Sequence, residues 1–134
     1  MKILFMCVAN SARSQIAEGV ARTLLPPSIE VLSAGSKPSH VNPLAIQVLS
    51  EIGIDIARAK SKSVADIDST GITHVITLCA EEVCPYLPGQ MTRLHWPMPD
   101  PASASGRTEL ILGAFRRTRD ELKDRIVTFY AKQT

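Results

Sequence analysis

A thiol, five intervening residues, a guanidinium and a hydroxyl stand together near the start of the chain, in Cys7-Val8-Ala9-Asn10-Ser11-Ala12-Arg13-Ser14. The run follows a short apolar segment and precedes one of helical period, so it lies where a strand turns into a helix. Chain bent in that way can aim successive backbone N–H groups at one point, and the helix N-terminus behind them adds partial positive charge. The expected ligand is a tetrahedral oxyanion. Val8, Ala9, Asn10, Ser11 and Ala12 line the cradle, and Arg13 closes it by gripping two oxygens in its fork. The same field favours the thiolate of Cys7, and the Ser14 hydroxyl can donate to that sulfur, steadying it as nucleophile and as leaving group. Asn10 is expected to shape the loop through side-chain hydrogen bonds. The chemistry is attack by sulfur on a bound oxyanion.

Asp100 sits between Pro99 and Pro101. The two rings stiffen its loop, and its carboxyl could protonate the oxygen that leaves the anion, provided burial or a nearby thiolate helps it keep a proton. Cys79 and Cys84 complete the three cysteines. An odd number cannot all pair within one chain, and none is spaced with a second cysteine or histidine pair as structural zinc sites are. Reduced thiols in a cytoplasmic protein are the expectation.

The elements that position these residues follow from periodicity. Residues 2–6 read as a strand buried on both faces. From Arg13, Ile16, Val20 and Leu24 recur every four residues until Pro26-Pro27 ends the helix. Residues 29–32 give a second strand closing at Ser33-Ala34-Gly35, and Asn42-Pro43 opens a second helix that stops near Gly53. A short helix is expected within 62–67, a third strand over 74–78 leading into Cys79, and a weaker fourth over 91–94. The longest helical pattern covers 108–132, with Ile111, Phe115, Leu122, Ile126 and Phe129 on one stripe. Strands alternating with helices imply an α/β fold, a parallel sheet covered on both faces, with ligands outside the carboxyl ends of the strands. Cys7 and Cys79 both fall at such ends. If their strands are neighbours, about 4.8 Å apart, the two cysteines lie within disulfide reach.

Composition narrows the function. At 134 residues the chain makes one domain, 1–134, and its 15 Lys+Arg against 13 Asp+Glu leave a net charge of only +2. Neither nucleic acid nor a membrane surface is an expected partner. The apolar N-terminal run resembles a signal peptide only superficially, since Asn10, Ser11 and Arg13 follow at once; no run approaches the roughly 18 apolar residues of a membrane span. His74, at a strand start, reads as structural. His95 and Trp96 read as core rather than as walls of the site, and the run of charge from Arg116 through Arg117, Arg119, Lys123 and Arg125 reads as a solvated helix face.

The sequence resembles the low-molecular-weight tyrosine phosphatases and, within that fold, the thioredoxin-coupled arsenate reductases. The resemblance covers nearly the whole chain: the Cys7–Arg13 loop, Ser14-Gln15-Ile16-Ala17-Glu18-Gly19, Ser33-Ala34-Gly35, Val41-Asn42-Pro43, Thr77-Leu78-Cys79, His95-Trp96 and Asp100-Pro101-Ala102 occur in order and spacing. It implies a three-layer fold with a four-stranded parallel sheet of order 2-1-3-4. It also implies a relay, in which Cys7 attacks arsenate, Asp100 aids loss of water, Cys79 attacks Cys7 to release arsenite, and Cys84 attacks Cys79. The resulting Cys79–Cys84 bridge would face solvent, in an unwound segment carrying Glu81, Glu82, Pro85, Pro88 and Gly89, for thioredoxin to reduce. Phosphate and sulfate would compete with arsenate. In some such reductases the counterparts of Asn10, Glu18 and Ser33 bind potassium with an aspartate. Here Lys62 stands at that aspartate's position, so no bound cofactor and no potassium requirement is expected, in a cytoplasmic monomer.

Two rivals remain. A phosphatase would use Cys7, Arg13 and Asp100 alone, but phosphatases of this fold usually place aromatic side chains after the Asp-Pro, where this chain has Ala102-Ser103. A non-enzymatic sensor could bind an oxyanion through the same loop and signal by disulfide, although an acid at Asp100 would then be superfluous.

Overall fold

A computed structural model describes residues 1–80 and 83–133. Four strands, β1 (Lys2–Cys7), β2 (Glu30–Gly35), β3 (His74–Thr77) and β4 (Thr92–His95), form one parallel sheet of order β2-β1-β3-β4. Three α-helices intervene or follow: α1 (Arg13–Leu24), α2 (Pro43–Ser50) and α3 (Thr108–Gln133). Order and class match the expectation. The short helix expected within 62–67 is a single 3₁₀ turn, Val64–Asp66, begun by the Ser63 hydroxyl accepting from the Ala65 N–H. No helix among the described residues is long and apolar enough to cross a membrane.

β1 is buried along its whole length, which its unbroken apolar run required. Its side chains divide by the pleat. Ile3 and Phe5 join Ile16, Val20, Leu49, Leu112, Phe115, Leu122 and Ile126 in a core against the three helices. Leu4 and Met6 face the other way, into a smaller core with Val75 and Ile72 that Val64, Ile67, Leu87 and Met91 cover. Both faces are therefore covered, but unequally: α-helix on one, a 3₁₀ turn and irregular chain on the other. Asn42 caps α2 by accepting the Leu44 N–H at 2.8 Å, and Gly53, at φ +81, reverses the chain after it.

α3 departs in detail from its expected stripe. Leu112 rather than Ile111 is buried, with Phe115, Leu122, Ile126 and Phe129. Arg116 and Arg119 are not a solvated face. Arg116 forks onto Glu51, with Nη2 at 2.7 Å from Oε2, while Arg119, only 9% exposed, donates from Nη1 to Glu51 Oε1 at 2.8 Å and to the Val48 carbonyl at 2.9 Å. Two arginines one turn apart on α3 thus close over the exit of α2. Arg125, bonded to Glu121 at 3.3 Å, stays on the surface as expected. Trp96 is buried between Phe5 and Phe129 in the core, and His74, partly exposed, packs edge-on against Phe129 at 5.3 Å, as a structural residue. His95, expected in the core beside Trp96, is instead exposed, because successive side chains along extended chain point to opposite sides, and it hydrogen-bonds the Thr77 hydroxyl.

The hydrogen bond from Arg116 is the largest influence on Glu51, followed by opposing desolvation and the bond from Arg119; together they hold its carboxyl at about 2, against 4.5. A group depressed in this way stabilises the fold in full above about 4.5 and ceases to do so as pH falls through about 2. Glu51→Gln is expected to melt below wild type at pH 7 in a calorimeter, with the gap closing across that acid window. An equal gap at both ends of the window would assign the loss to packing instead.

Candidate functional site

The turn between β1 and α1 has all five of its carbonyl oxygens engaged from outside. The Val8 oxygen accepts from Lys37 N at 2.9 Å, Ala9 from Ser39 N at 3.2 Å and Ser61 Oγ at 2.9 Å, and Ser11 from Asn42 N at 3.0 Å. Asn10 O accepts from Gln15 Nε2 at 3.3 Å and Ala12 O from Ile16 N at 2.8 Å, the latter as the first bond of α1. In a trans peptide, N–H and C=O point in opposite directions. Carbonyls turned outward at residues 8–12 therefore turn the amides of residues 9–13 inward. The helix behind them has no side-chain cap and no acidic residue in its first turn, so its own sequence places no anion at its N-terminus. Val8, Ala9, Asn10, Ser11 and Ala12 make up this loop, each with its carbonyl held by a neighbouring donor.

Asn10 sits at its apex with φ +47, a left-handed conformation that Asn tolerates better than most residues. Its side chain is the junction of a buried network. Oδ1 accepts the Lys62 backbone N–H at 2.8 Å and Gln15 Nε2 at 3.0 Å, while Nδ2 donates to Ser14 Oγ at 2.7 Å and to Ser33 Oγ at 3.0 Å. Because the Lys62 amide can only donate, the orientation of the Asn10 amide is fixed. The consequence passes on to sulfur. Ser14 Oγ, which accepts from Asn10, also hydrogen-bonds Cys7 Sγ, 2.8 Å away, and is the donor whenever that sulfur is a thiolate, which can only accept. In the other direction Ser33 donates to Glu18 Oε1 at 2.6 Å. Glu18, 9% exposed, is balanced by Lys62 Nζ at 3.6 Å and Arg22 Nε at 3.1 Å. One continuous chain links two surface cations to the Cys7 thiol.

Arg13 is buried. Nη1 donates to the carbonyls of Met98 (3.1 Å) and Leu78 (3.4 Å), and Nη2 lies 4.0 Å from Asp100 Oδ2. The guanidinium thus spans the exits of β3 and β4. Asp100 accepts the Ala102 N–H on Oδ1 at 3.0 Å, which fixes the Pro101–Ser103 turn and leaves Oδ2 toward Arg13. Its side chain is 36% exposed, so water reaches the carboxyl. Asp100, distant in sequence, is brought to Cys7, Arg13 and Ser14 at the carboxyl ends of the strands.

The three cysteines are distributed unequally. Cys7 is a free, buried thiol, whereas Cys79 and Cys84 form a disulfide with Cα atoms 5.6 Å apart. β1 and β3 are neighbours, and Leu78 N donates to Met6 O at 2.9 Å, so the next residue of each strand is Cys7 and Cys79 respectively. The bridge only half faces solvent. Cys79 is 1% exposed and Cys84 partly buried, which corrects the expectation of an outward-facing disulfide. Residues 83–88 are irregular, as expected, with Pro88 and Gly89 exposed but Pro85 partly buried; Glu81 and Glu82 lie outside the described residues. Among the described residues no group of three or more His, Cys, Asp or Glu could hold a metal.

Gly35 is a residue whose role periodicity did not reveal. A Cβ there would lie 2.3 Å from the Val8 carbonyl oxygen and 2.9 Å from the Asn10 N. The end of β2 passes so close beneath the loop that only glycine fits, a restriction set by a neighbour distant in sequence. Gln15, fully buried, was likewise not singled out by its own chemistry; its amide ties Asn10 to the Lys60 carbonyl.

Comparison with known proteins places these features in context. The family model described as low molecular weight phosphotyrosine protein phosphatase matches residues 2–133. A protein named arsenate reductase from Halalkalibacterium halodurans is 43% identical over 129 residues, covering 95% of this chain and 93% of the relative. The solved structure of an arsenate reductase in the phosphate binding state superimposes with a TM-score of 0.84 at 36% identity, over 99% of this chain and 98% of that one. A thioredoxin-dependent arsenate reductase from Corynebacterium glutamicum gives 0.75 at 31% identity, covering 98% of this chain and 60% of that one.

Gly35→Ala is expected to push the Val8–Asn10 peptides out of line. A displacement of about 1 Å at a reacting site costs on the order of 100-fold. Cys7 of the variant should lose most of the protection that phosphate gives it against iodoacetamide, with far-UV circular dichroism unchanged. Undiminished protection would mean that the loop tolerates the contact.

Proposed function

The chain belongs to the low molecular weight phosphotyrosine protein phosphatase family, and from that premise we propose that it is an arsenate reductase, which converts arsenate to arsenite through Cys7, Cys79 and Cys84 with thioredoxin as electron donor. One observation carries the reading. Beside a cradle thiol of phosphatase type stand two further cysteines joined to each other, Cys79 at the end of the strand next to that of Cys7. Hydrolysis of a phosphate ester would need neither.

The residues act in order. Amides of the loop 8–13 and the Arg13 guanidinium hold arsenate with its arsenic before Cys7 Sγ. The sulfur, steadied by the Ser14 hydroxyl, attacks; Asp100 delivers the proton with which one oxygen leaves as water. Cys79 then attacks Cys7 Sγ. The S–As bond breaks with its electron pair going to arsenic, which departs as arsenite, and a Cys7–Cys79 disulfide remains. Cys84 next attacks Cys79, freeing Cys7 and leaving the Cys79–Cys84 bridge. That last state agrees with a free Cys7 beside a Cys79–Cys84 disulfide. Thioredoxin contributes the two electrons that close the cycle.

Residues 1–134 act as a single domain, in a cytoplasmic monomer. Phosphate and sulfate, which share the tetrahedral shape of arsenate, compete for the cradle, and phosphate esters are hydrolysed weakly. The small Ala102 and Ser103 beyond Asp100 offer no ring to hold a phenyl group, which disfavours a dedicated tyrosine phosphatase. The residues present do not suit a bound potassium ion. Lys62 Nζ already supplies the cation at 3.6 Å from Glu18 Oε1, and it also donates to the Lys60 carbonyl at 2.9 Å.

Purified protein with arsenate, thioredoxin, thioredoxin reductase and NADPH is expected to turn over, and Cys7→Ser, Cys79→Ser and Cys84→Ser each to abolish sustained turnover. Cys84→Ser should still release one equivalent of arsenite and stop as a Cys7–Cys79 disulfide. Hydrolysis of p-nitrophenyl phosphate should be lost only with Cys7. Continued reduction without Cys84 would sink the relay, and ester hydrolysis without arsenate reduction would make the protein a phosphatase.

Replacing sodium chloride by potassium chloride at constant ionic strength is expected to leave kcat/KM for arsenate unchanged. A several-fold rise specific to potassium would show that Lys62 does not fill the role of the ion.

A further inference from the structure

A thiolate reduces a disulfide by attacking one of its sulfurs in line with the S–S bond, so access decides which sulfur is taken. Cys79 is closed to solvent at 1% exposure, and Cys84 is the partly exposed partner. Exposed apolar side chains flank Cys84 along the chain. Val83, one residue before Cys84, is 90% exposed, and Tyr86, two residues after it, is 70% exposed; the next most exposed large apolar side chain, Leu110, reaches 57%. The Tyr86 ring is held. The Arg93 guanidinium carbon lies 4.5 Å from its centroid, and Arg93 Nη2 donates to the Gly89 carbonyl at 2.9 Å. Arg93 itself is fixed in β4, in register with Val75 of β3. An aromatic plate is therefore mounted on the sheet edge beside the one reachable sulfur.

Resting on the reading that an outside donor reduces the Cys79–Cys84 bridge, we propose that Val83 and Tyr86, the latter oriented by Arg93, are the docking face for a protein dithiol of the thioredoxin class, and that this face favours a protein donor over small thiols. Geometry selects that occupant. A protein whose thiol touches Cys84 Sγ has to cover the side chains on either side of it, whereas a small thiol reaches the sulfur without touching them. A preordered aromatic side chain next to the point of contact is the kind of anchor that dominates protein interfaces. In the step itself the first donor thiolate bonds to Cys84 Sγ, and Cys79 Sγ leaves with the S–S electron pair and takes up a proton. The second donor thiol then attacks the first donor sulfur, returning Cys84 as a thiol and leaving the donor as a disulfide. Two electrons have passed to the bridge.

The test omits arsenate, so that it does not depend on the reductase reading. Pre-oxidised protein is mixed with reduced thioredoxin or with dithiothreitol, and the loss of the Cys79–Cys84 bridge is followed by thiol titration. Val83→Ser and Tyr86→Ala are each expected to lower the ratio of the thioredoxin rate constant to the dithiothreitol rate constant by about 10-fold or more. Tyr86→Phe, which keeps the ring, should restore the ratio, and Arg93→Gln should lower it by a smaller factor. An unchanged ratio in Val83→Ser and Tyr86→Ala would overturn the proposal, as would rate constants for both donors falling together. Wild-type protein that thioredoxin reduces quickly, with the variant ratios falling as stated, but that never turns over arsenate, would retire the proposed function and leave the docking face standing.

Discussion

For the amides between β1 and α1 to converge on an anion, each carbonyl of that turn must find a donor elsewhere, and the surrounding structure is arranged around this demand. Strand β1 delivers the chain to the turn, and α1 takes up its last carbonyl. The others are met by the segment after β2, whose amides at Lys37, Ser39 and Asn42 run beside the turn, and by Gln15 and Ser61. Buried peptide groups without partners are costly, so these contacts are conditions for the loop to exist in this shape. The close passage of Gly35 under Val8 is the steric side of the same arrangement.

Electrostatics reach the thiol by a longer route. Glu18 is a nearly buried carboxylate, acceptable because Lys62 and Arg22 face it and Ser33 donates to it. Its influence passes through Ser33, Asn10 and Ser14 to Cys7 without any of these residues reaching across the cradle. Such chains are useful when every member is satisfied, because each donor is then committed to one direction. Asn10 donates to Ser14 and so leaves the Ser14 proton available to a thiolate at Cys7.

Unequal burial of the cysteines suits the different motions asked of them. Cys7 ends β1 in register with Gly35 of β2, and Cys79 lies two residues past the end of β3, directly after a Leu78 N–H held by the Met6 carbonyl. Cys84 belongs to irregular chain, free of the hydrogen bonding that would hold it in a helix or sheet, and it can approach a fixed partner from outside. The thin cover on that face of the sheet, a 3₁₀ turn and loops in place of α-helix, fits the same requirement, since loops rearrange at less cost than packed helices.

Local pattern determined much of this protein. The apolar run of β1, the four-residue period of α1, Asn42-Pro43 at the start of α2 and the Cys7–Arg13 spacing depend on residues close together in the chain, and each appears where the sequence placed it. Asp100 between its prolines and the two later cysteines were legible as chemistry by type alone. Tertiary structure decided the rest. Arg119 looks like a surface residue until α2 presents a carbonyl and Glu51 to it; Gly35 looks replaceable until Val8 passes above; and the depth of Cys79 follows from where β3 ends in the sheet. Periodicity reports which face of an element is apolar, but not which atoms of another element will stand opposite. Those partners are fixed only when strands and helices far apart in sequence pack, because hydrogen bonding and close contact act over a few ångströms of space and take no account of distance along the chain.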